Sequence, residues 1–236
     1  MFTIPNILTA LNLFFGCCAL VSLHRGQVEA TIFLILTAAL VDFFDGFIAR
    51  KLNQASALGV QLDSLSDVVS FGVVPAFICF QILNIGFPHQ GYMAYIGFLV
   101  AIMAAFRLAR YNVESKGTDL FFTGLPVLAN ALFFLGLHSL NLQKNELQSM
   151  VMQPYIFTSI LLLFSFLMIS QIKILKIHFS KIWLRQYGYL LVLELIALGS
   201  WIWIGPVALS VVIVIHILVS IYYNIIQNEN KIHENL

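Results

Sequence analysis

The chain has 236 residues, of which 60% are hydrophobic and only 10% are charged, and its formal net charge is +1. Its mean hydropathy of +0.93 lies far outside the range of soluble proteins, so the composition excludes a soluble domain. The near-zero net charge gives no reason to expect nucleic-acid binding. Apolar stretches of about 17–25 residues predict transmembrane helices instead.

We predict an all-α fold, a polytopic transmembrane helical bundle with about eight spans. The predicted spans are Pro5–Leu23, Glu29–Arg50, Ala57–Leu83, Gly91–Arg110, Phe121–Leu140, Met150–Ile172, Tyr189–Ile204 and Pro206–Ile225. The third span is long, so part of it should tilt or extend beyond the hydrocarbon. We expect one membrane domain with a six-helix core (1–172), an amphipathic connector (173–188) and two additional helices with a short tail (189–236).

The second and third predicted spans carry the pattern D-x2-D-G-x2-A-R-x8-G-x3-D-x3-D, and four of the chain's five Asp residues belong to it. On each helix the acidic residues lie three or four positions apart and therefore share one face. A turn near Leu52–Ser56 would bring the two faces together. Carboxylates at membrane depth are costly and usually face a polar cavity or a metal. The pattern therefore predicts a site for hard divalent cations at the edge of the membrane, where four carboxylates would meet: Asp42, Asp45, Asp63 and Asp67.

Small residues and one cation accompany the acidic residues. Gly46, Ala49 and Gly59 have almost no side chain, so a bulky ligand can approach the backbone closely. Arg50 supplies a cation suited to phosphate. The alternative is that the carboxylates are solvated at an interface and the small residues serve helix packing.

These residues resemble the signature of the CDP-alcohol phosphatidyltransferases, membrane enzymes that displace CMP from a CDP-linked lipid or alcohol. Three further segments resemble the serine-using branch of that family, the phosphatidylserine synthases of bacteria and archaea. They are I-P-N-I-L-T-A-L-N-L-F-F-G (4–16), F-R-L-A-R-Y-N-V (106–113) and F-T-G-L-P (122–126). The resemblance covers roughly residues 4–126. It implies transfer of a phosphatidyl group from CDP-diacylglycerol to L-serine, two Mg2+ or Mn2+ ions, the family's six-helix core and a homodimer.

The resemblance also assigns roles to residues. Asp42, Asp45 and Asp63 become metal ligands, and Asp67 becomes both a ligand and the base that takes the hydroxyl proton. The residues that match the family's CDP-lipid site, or lie beside it, are Gly46, Ala49, Arg50, Ser56, Gly59, Asn6 and Thr9. For Asn6 and Thr9 the alternative is a polar helix start in which one of them caps the helix.

The serine site is expected at the cytoplasmic end of the fourth span. Arg107 and Arg110 stand one helical turn apart there, and an Arg fork can hold a carboxylate. We predict that Arg110 and Asn112 bind serine while Arg107 and the turn Gly124–Pro126 shape the pocket. The alternative is that both arginines are interfacial anchors.

Positive charge predicts the orientation of the chain in the cytoplasmic membrane. With eight spans, ten of the twelve Lys and Arg residues fall on the side that holds both termini and the acidic cluster. That side is therefore expected to be cytoplasmic. On the last two spans, Glu194 and His216 are expected to form a structural polar pair, with a second functional site as the alternative.

Two other functions compete with serine transfer. A phosphatidyltransferase could use a phosphate-bearing acceptor, glycerol 3-phosphate or an inositol phosphate, which would require a denser basic pocket. An ion or metal transporter is a candidate of another class, because acidic residues in membranes often mark ion pathways. A transporter predicts acidic groups spread across the membrane depth, whereas these cluster at one side.

Overall fold

A computed structural model describes residues 3–114, 121–140, 146–175, 192–193 and 195–234. The elements are α1 (Ile4–His24), α2 (Val28–Lys51), α3 (Ala57–Asp67), α4 (Val74–Gly86), α5 (Leu99–Glu114), β1 (Phe121–Thr123), α6 (Val127–Ser139), α7 (Glu146–Val151), α8 (Pro154–Ile169), β2 (Lys173–Leu175), α9 (Trp201–Ile204) and α10 (Ala208–Glu234). A π-helical segment (Val68–Val73) joins α3 to α4, and a 3-10 helix (Gly91–Phe98) leads into α5.

Within these ranges five helical stretches are long and apolar enough to cross a membrane. They are Ile4–His24, Val28–Lys51, Ala57–Gly86, Gly91–Glu114 and Leu195–Asn224. Two shorter apolar helices, α6 and α8, accompany them. The predicted helical, multi-pass membrane architecture is therefore confirmed.

The fifth and sixth predicted spans are shorter than expected. Residues 121–123 form β1 rather than the start of a helix, and α6 begins only after Pro126, which caps it. Pro154 lies in the first turn of α8, where its missing N–H costs nothing, so α8 begins there rather than at residue 150. The all-α prediction needs one addition, because β1 pairs antiparallel with β2.

The last two predicted spans meet at a break in the backbone. The apolar stretch Leu195–Asn224 is interrupted at Gly205, whose φ of 63° is not helical. The part of the seventh span before residue 192 lies outside the described residues, and so does Glu194. The predicted Glu194–His216 pair is therefore outside what the structure describes. Of the predicted connector, residues 173–175 form β2 and the rest is likewise outside.

The turn between α2 and α3 sets the geometry of the acidic cluster. After α2 ends, Asn53 adopts a φ of 53°, and the backbone N–H of Gln54 donates to the carbonyl of Ala49 at 2.9 Å. Ser56 then caps α3, because its hydroxyl oxygen accepts a hydrogen bond from the backbone N–H of Gly59 at 3.1 Å. The predicted turn near Leu52–Ser56 is thus where the chain reverses.

The core lies between α1, the α3–α4 helix, α5, α6 and α8, and it contains fully buried Phe71, Phe134 and Phe157. The last helix packs on this core, where the Ser210 hydroxyl donates to the carbonyl of Phe133 at 2.6 Å. Gly16 on α1 lies against the π-helical segment. A Cβ atom added there would lie 2.9 Å from the Cα atom of Ser70 and closer still to its hydroxyl oxygen.

This close approach predicts that Gly16→Ala separates α1 from the π-helical segment. Overpacking of this kind typically costs about 1–3 kcal/mol. We expect a lower melting temperature for the purified protein in detergent, measured by thermal unfolding. Gly199→Ala is the control, because Gly199 is helical and has no atom within 4 Å of an added Cβ. A Gly16→Ala protein as stable as Gly199→Ala would contradict the tight contact.

Candidate active site

Three carboxylates converge where α2 meets α3. Asp42 comes from α2, and Asp63 and Asp67 come from successive turns of α3. One carboxylate oxygen from each lies within 4.8 Å of the other two, and all three side chains are half-buried. Hard divalent cations prefer carboxylate oxygens at this kind of spacing. The donor set therefore fits a metal ion held between the two helices.

Asp45 occupies a different environment from the other three aspartates. It is 5% exposed, and its carboxylate accepts a hydrogen bond from the Thr9 hydroxyl at 2.6 Å. The same hydroxyl lies 3.0 Å from the carbonyl of Pro5. Asp45 is not within the 4.8 Å grouping of the other carboxylates. Its assignment as a metal ligand stays a prediction.

Asn12 is the residue that sequence reasoning missed. It is fully buried on α1, and its side-chain nitrogen donates to Asp42 and to Asp67, each at 3.2 Å. A signal existed, because Asn6, Thr9 and Asn12 recur every three residues on an otherwise apolar helix. The third polar residue of that series is the one that reaches the acidic cluster.

Two serines fasten α1 to the helix that carries Asp63 and Asp67. The Ser66 hydroxyl donates to the carbonyl of Thr9 at 2.8 Å, and the Ser70 hydroxyl donates to the carbonyl of Asn12 at 3.1 Å. Both serines are fully buried. The two α1 residues whose side chains reach carboxylates therefore also have their backbone held by hydroxyl groups.

A pocket of about 200 Å³ opens beside the acidic cluster, between the start of α1, the end of α2 and the start of α3. It is lined by Pro5, Asn6, Thr9, Asp45, Gly46, Ala49, Arg50, Gln54, Ala55, Ser56, Gly59, Val60 and Asp63. All seven residues predicted for the CDP-lipid site are among them. Asp45 and Asp63 connect this pocket to the carboxylates.

The small residues of the motif leave room inside the pocket. A Cβ atom at Gly59 would lie 3.1 Å from the side-chain oxygen of Asn6, tighter than most real contacts. One at Gly46 would lie 3.4 Å from a guanidinium nitrogen of Arg50. A side chain at position 59 would therefore crowd Asn6, whereas one at position 46 would make an ordinary contact with Arg50.

Arg107 and Arg110 have different surroundings. Arg107 is only 7% exposed, with its guanidinium carbon 5.9 Å from the centre of the Phe122 ring and its Nε atom without a hydrogen-bond partner. It is close enough to Asp67 to interact with it electrostatically. Of the two arginines, Arg107 is the more deeply buried.

The Arg110 side chain instead binds backbone carbonyls at the end of α8 and in β1. Its guanidinium donates to the carbonyl oxygens of Ile169 at 2.8 Å, Thr123 at 3.2 Å and Ser170 at 3.4 Å. It therefore caps the C-terminal end of α8 and ties it to β1. This engagement argues against our expectation that Arg110 makes the main contact with serine.

The remaining predicted serine-site residues lie near these arginines. Asn112 donates to the Ser64 hydroxyl at 2.8 Å. Gly124 has a φ of 75°, and an added Cβ would collide with the carbonyl of Met168, so only glycine fits there. Its N–H donates to the carbonyl of Ile172 at 2.8 Å, and Pro126 is the N-cap of α6. The turn therefore has a structural function whether or not it shapes a ligand pocket.

Comparison with known proteins gives one family. The model of the CDP-alcohol phosphatidyltransferase family matches residues 2–221. A relative from Helicobacter pylori is 29% identical over 239 residues, which span 98% of this chain and 97% of the relative. One from Methanocaldococcus jannaschii is 32% identical over 199 residues, 83% of this chain and 85% of the relative. One from Bacillus subtilis is 33% identical over 124 residues, which span 52% of this chain and 68% of the relative. Each is named CDP-diacylglycerol–serine O-phosphatidyltransferase.

The carboxylate grouping predicts a measurable metal site. Asp63→Asn removes a charged oxygen ligand from the set that also includes Asp42 and Asp67. It should weaken Mn2+ binding at least tenfold, as monitored by the loss of the free-Mn2+ paramagnetic resonance signal on addition of protein. Glu29→Gln, a charge change on the exposed first turn of α2, is the control and should leave binding unchanged. Equal Mn2+ affinities of Asp63→Asn and Glu29→Gln would remove Asp63 from the site.

Proposed function

The chain belongs to the CDP-alcohol phosphatidyltransferase family, and we propose that it transfers the phosphatidyl group of CDP-diacylglycerol to L-serine, releasing CMP. The observation that carries the proposal is that the pocket beside Arg50 joins the three clustered carboxylates, because Asp63 belongs to both. The names of the relatives from H. pylori and M. jannaschii support CDP-diacylglycerol as donor and serine as acceptor.

The pocket suits the CMP part of the donor. The Arg50 guanidinium beside Gly46 would bind the diphosphate, as a cationic fork binds phosphate oxygens. Asn6 lies at the other wall and offers an amide to the cytidine, next to Gly59. Thr9 lines the same wall but is engaged with Asp45, so it orients that carboxylate.

The carboxylates would hold two divalent cations, Mg2+ or Mn2+. When bound, such ions neutralise diphosphate charge and polarise the attacking and leaving oxygens. Asp42, Asp63 and Asp67 provide oxygens close enough together to share a cation, and Asp45 would bind through the oxygen that faces the pocket. Negative charge accumulates around the phosphorus during transfer. Several acids would be needed to hold the cations that neutralise it.

Asp67 is our candidate for the base. Asp45 and Asp63 line the nucleotide pocket, whereas Asp67 lies one turn beyond Asp63 and towards Arg107. The serine hydroxyl oxygen would attack phosphorus from that side, opposite the leaving CMP. Asp67 takes the hydroxyl proton, the new oxygen–phosphorus bond forms, and the bond to the CMP oxygen breaks with its electron pair leaving on CMP.

Arg107 is our candidate for the serine carboxylate. Its Nε donor is buried and has no partner, so a carboxylate would complete its hydrogen bonding. The Asn112 amide donates to Ser64, which leaves its carbonyl oxygen for the serine ammonium. Gly124 and Pro126 position the turn next to Phe122, whose ring lies over Arg107.

The location follows from the same assignment. We propose that the acidic cluster and both termini face the cytoplasm, where CDP-activated lipids and serine are found. Arg50 and Lys51 at the end of α2, and Arg107 and Arg110 near the end of α5, lie on that side, in agreement with the positive-inside bias. By family resemblance the functional unit is a homodimer.

A direct assay tests the proposed reaction. Purified protein is incubated with CDP-diacylglycerol, Mn2+ and each of serine, glycerol 3-phosphate and inositol phosphate, and the product lipid is identified. We expect phosphatidylserine and CMP with serine alone. Asp67→Asn should lower turnover at least a thousandfold while CDP-diacylglycerol binding persists.

The other outcomes of the assay separate the competing functions. A product lipid that carries the acceptor's phosphate would show that the acceptor is glycerol 3-phosphate or inositol phosphate rather than serine. Absence of CMP release with every acceptor, together with Mn2+ flux into proteoliposomes, would favour a transporter. Substantial turnover by Asp67→Asn would remove this residue from the proton transfer.

The two arginines provide a matched pair for the serine site. Arg107→Lys keeps the charge but loses the fork, so the serine KM should rise about tenfold or more while the CDP-diacylglycerol KM changes little, because a hydrogen bond to a charged group contributes about 1.5–3 kcal/mol. Arg110→Lys should lower the melting temperature and leave both KM values near the wild type. A serine KM that rises in Arg110→Lys but not in Arg107→Lys would assign binding of the serine carboxylate to Arg110 instead.

A further inference from the structure

We propose that Asn12 is a positioning residue that fixes the separation of Asp42 and Asp67 and so prepares the acidic cluster to bind a divalent cation. The proposal rests on the metal-dependent transfer described above. Asn12 is not among the residues that line the nucleotide pocket, and the described hydrogen bonds of its side chain go to the two carboxylates, through which it would act.

The geometry links three helices through one amide nitrogen. A side-chain NH2 group has two hydrogens, and here it has two acceptors, Asp42 on α2 and Asp67 on α3, each at 3.2 Å. Because the acceptors belong to different helices, the Asn12 amide ties α2 and α3 to the same point on α1. Neither acid can move away from the other without breaking a hydrogen bond to α1.

The chemistry explains why an amide suits this position. Two carboxylates in a region of low dielectric repel each other unless donors or cations compensate them. A Lys or Arg at position 12 would compensate them permanently and oppose a bound cation. The amide of Asn12 satisfies one oxygen of each carboxylate and adds no charge. The cluster keeps its negative charge, and the oxygens not bonded to Asn12 stay available as ligands.

The rest of the Asn12 environment argues against a role in stability alone. Its side-chain oxygen is buried without a hydrogen-bond partner, which is unfavourable in an apolar interior. At the same time the Ser70 hydroxyl holds the Asn12 backbone carbonyl at 3.1 Å. The structure thus fixes the residue firmly and orients its amide towards the acids, although that orientation leaves the oxygen unpaired.

Mn2+ binding tests the proposal without substrate. Asn12→Leu has nearly the same volume and no donor, and Asn12→Ala serves if the leucine variant does not fold, as judged by thermal unfolding without metal. Each should weaken Mn2+ binding about 10–100-fold, the usual effect of removing a residue that orients metal ligands. The binding is measured by titration of the paramagnetic resonance signal of free Mn2+ in the absence of CDP-diacylglycerol and serine.

Ser70→Ala is the control for helix packing, because it removes a buried hydrogen bond to Asn12 but leaves the amide nitrogen in place. It should lower the melting temperature while the Mn2+ Kd stays within about twofold of the wild type, a difference well below one tenfold step in binding free energy. A wild-type Kd in both Asn12 variants would overturn the proposal and make Asn12 a packing residue. A different acceptor in the transfer assay would change the proposed function but not this result.

Discussion

The negative charge of four aspartates on apolar helices is the constraint on which the arrangement of the first three helices depends. Carboxylates at membrane depth are unfavourable unless they are hydrogen-bonded, paired or bound to a cation. The described part of α1 meets this need with neutral donors, Thr9 for Asp45 and Asn12 for Asp42 and Asp67. Neutral donors satisfy oxygen lone pairs without cancelling charge. The fold can therefore keep a strongly acidic centre, which the proposed binding of divalent cations requires.

The same constraint explains how the helices are held together. Lipid tails are as apolar as the helix surfaces, so close packing and hydrogen bonds between helices must supply specificity. Ser66 and Ser70 provide such bonds from the third membrane segment to α1, and Gly16 lets the two backbones approach. At the other side of the cluster, Arg110 binds three backbone carbonyls and thereby fixes the end of α8 against β1. Arg107, one turn earlier, is buried against the Phe122 ring and is near enough to Asp67 to interact with it electrostatically.

All seven residues that the family resemblance assigned to the CDP-lipid site line one pocket. Spacing alone predicted only that acids, glycines and an arginine share helix faces, and it left helix packing as an alternative. Asn12 was missed because a single amide on an apolar helix is equally compatible with packing. The sequence analysis assigned serine binding to Arg110 rather than Arg107, because it could not show that the backbone carbonyls of Thr123, Ile169 and Ser170 bind Arg110. Hydropathy located spans five and six but not their ends, because Pro126, Pro154 and the β1–β2 pairing decide where those helices begin and stop.

The π-helical segment that follows Asp67 sets how the side chains of α4 are rotated about the helix axis relative to those of α3. A π turn holds one more residue than an α turn and commonly marks a functional site. Because of this extra residue, the six residues of the segment turn the chain through about the same angle as five residues of an α-helix. Removal of one residue here would therefore restore a regular α-helix and leave Asp63 and Asp67 in nearly the same rotational relation to the apolar face of α4 that includes Ile78 and Leu83. A residue gained or lost in the regular α-helical parts between them would instead rotate the two faces by about 100°, since an α-helix has 3.6 residues per turn. Evolution of this span can therefore change its length within the π-helical segment, whereas a single insertion or deletion in the flanking turns is expected to be rejected.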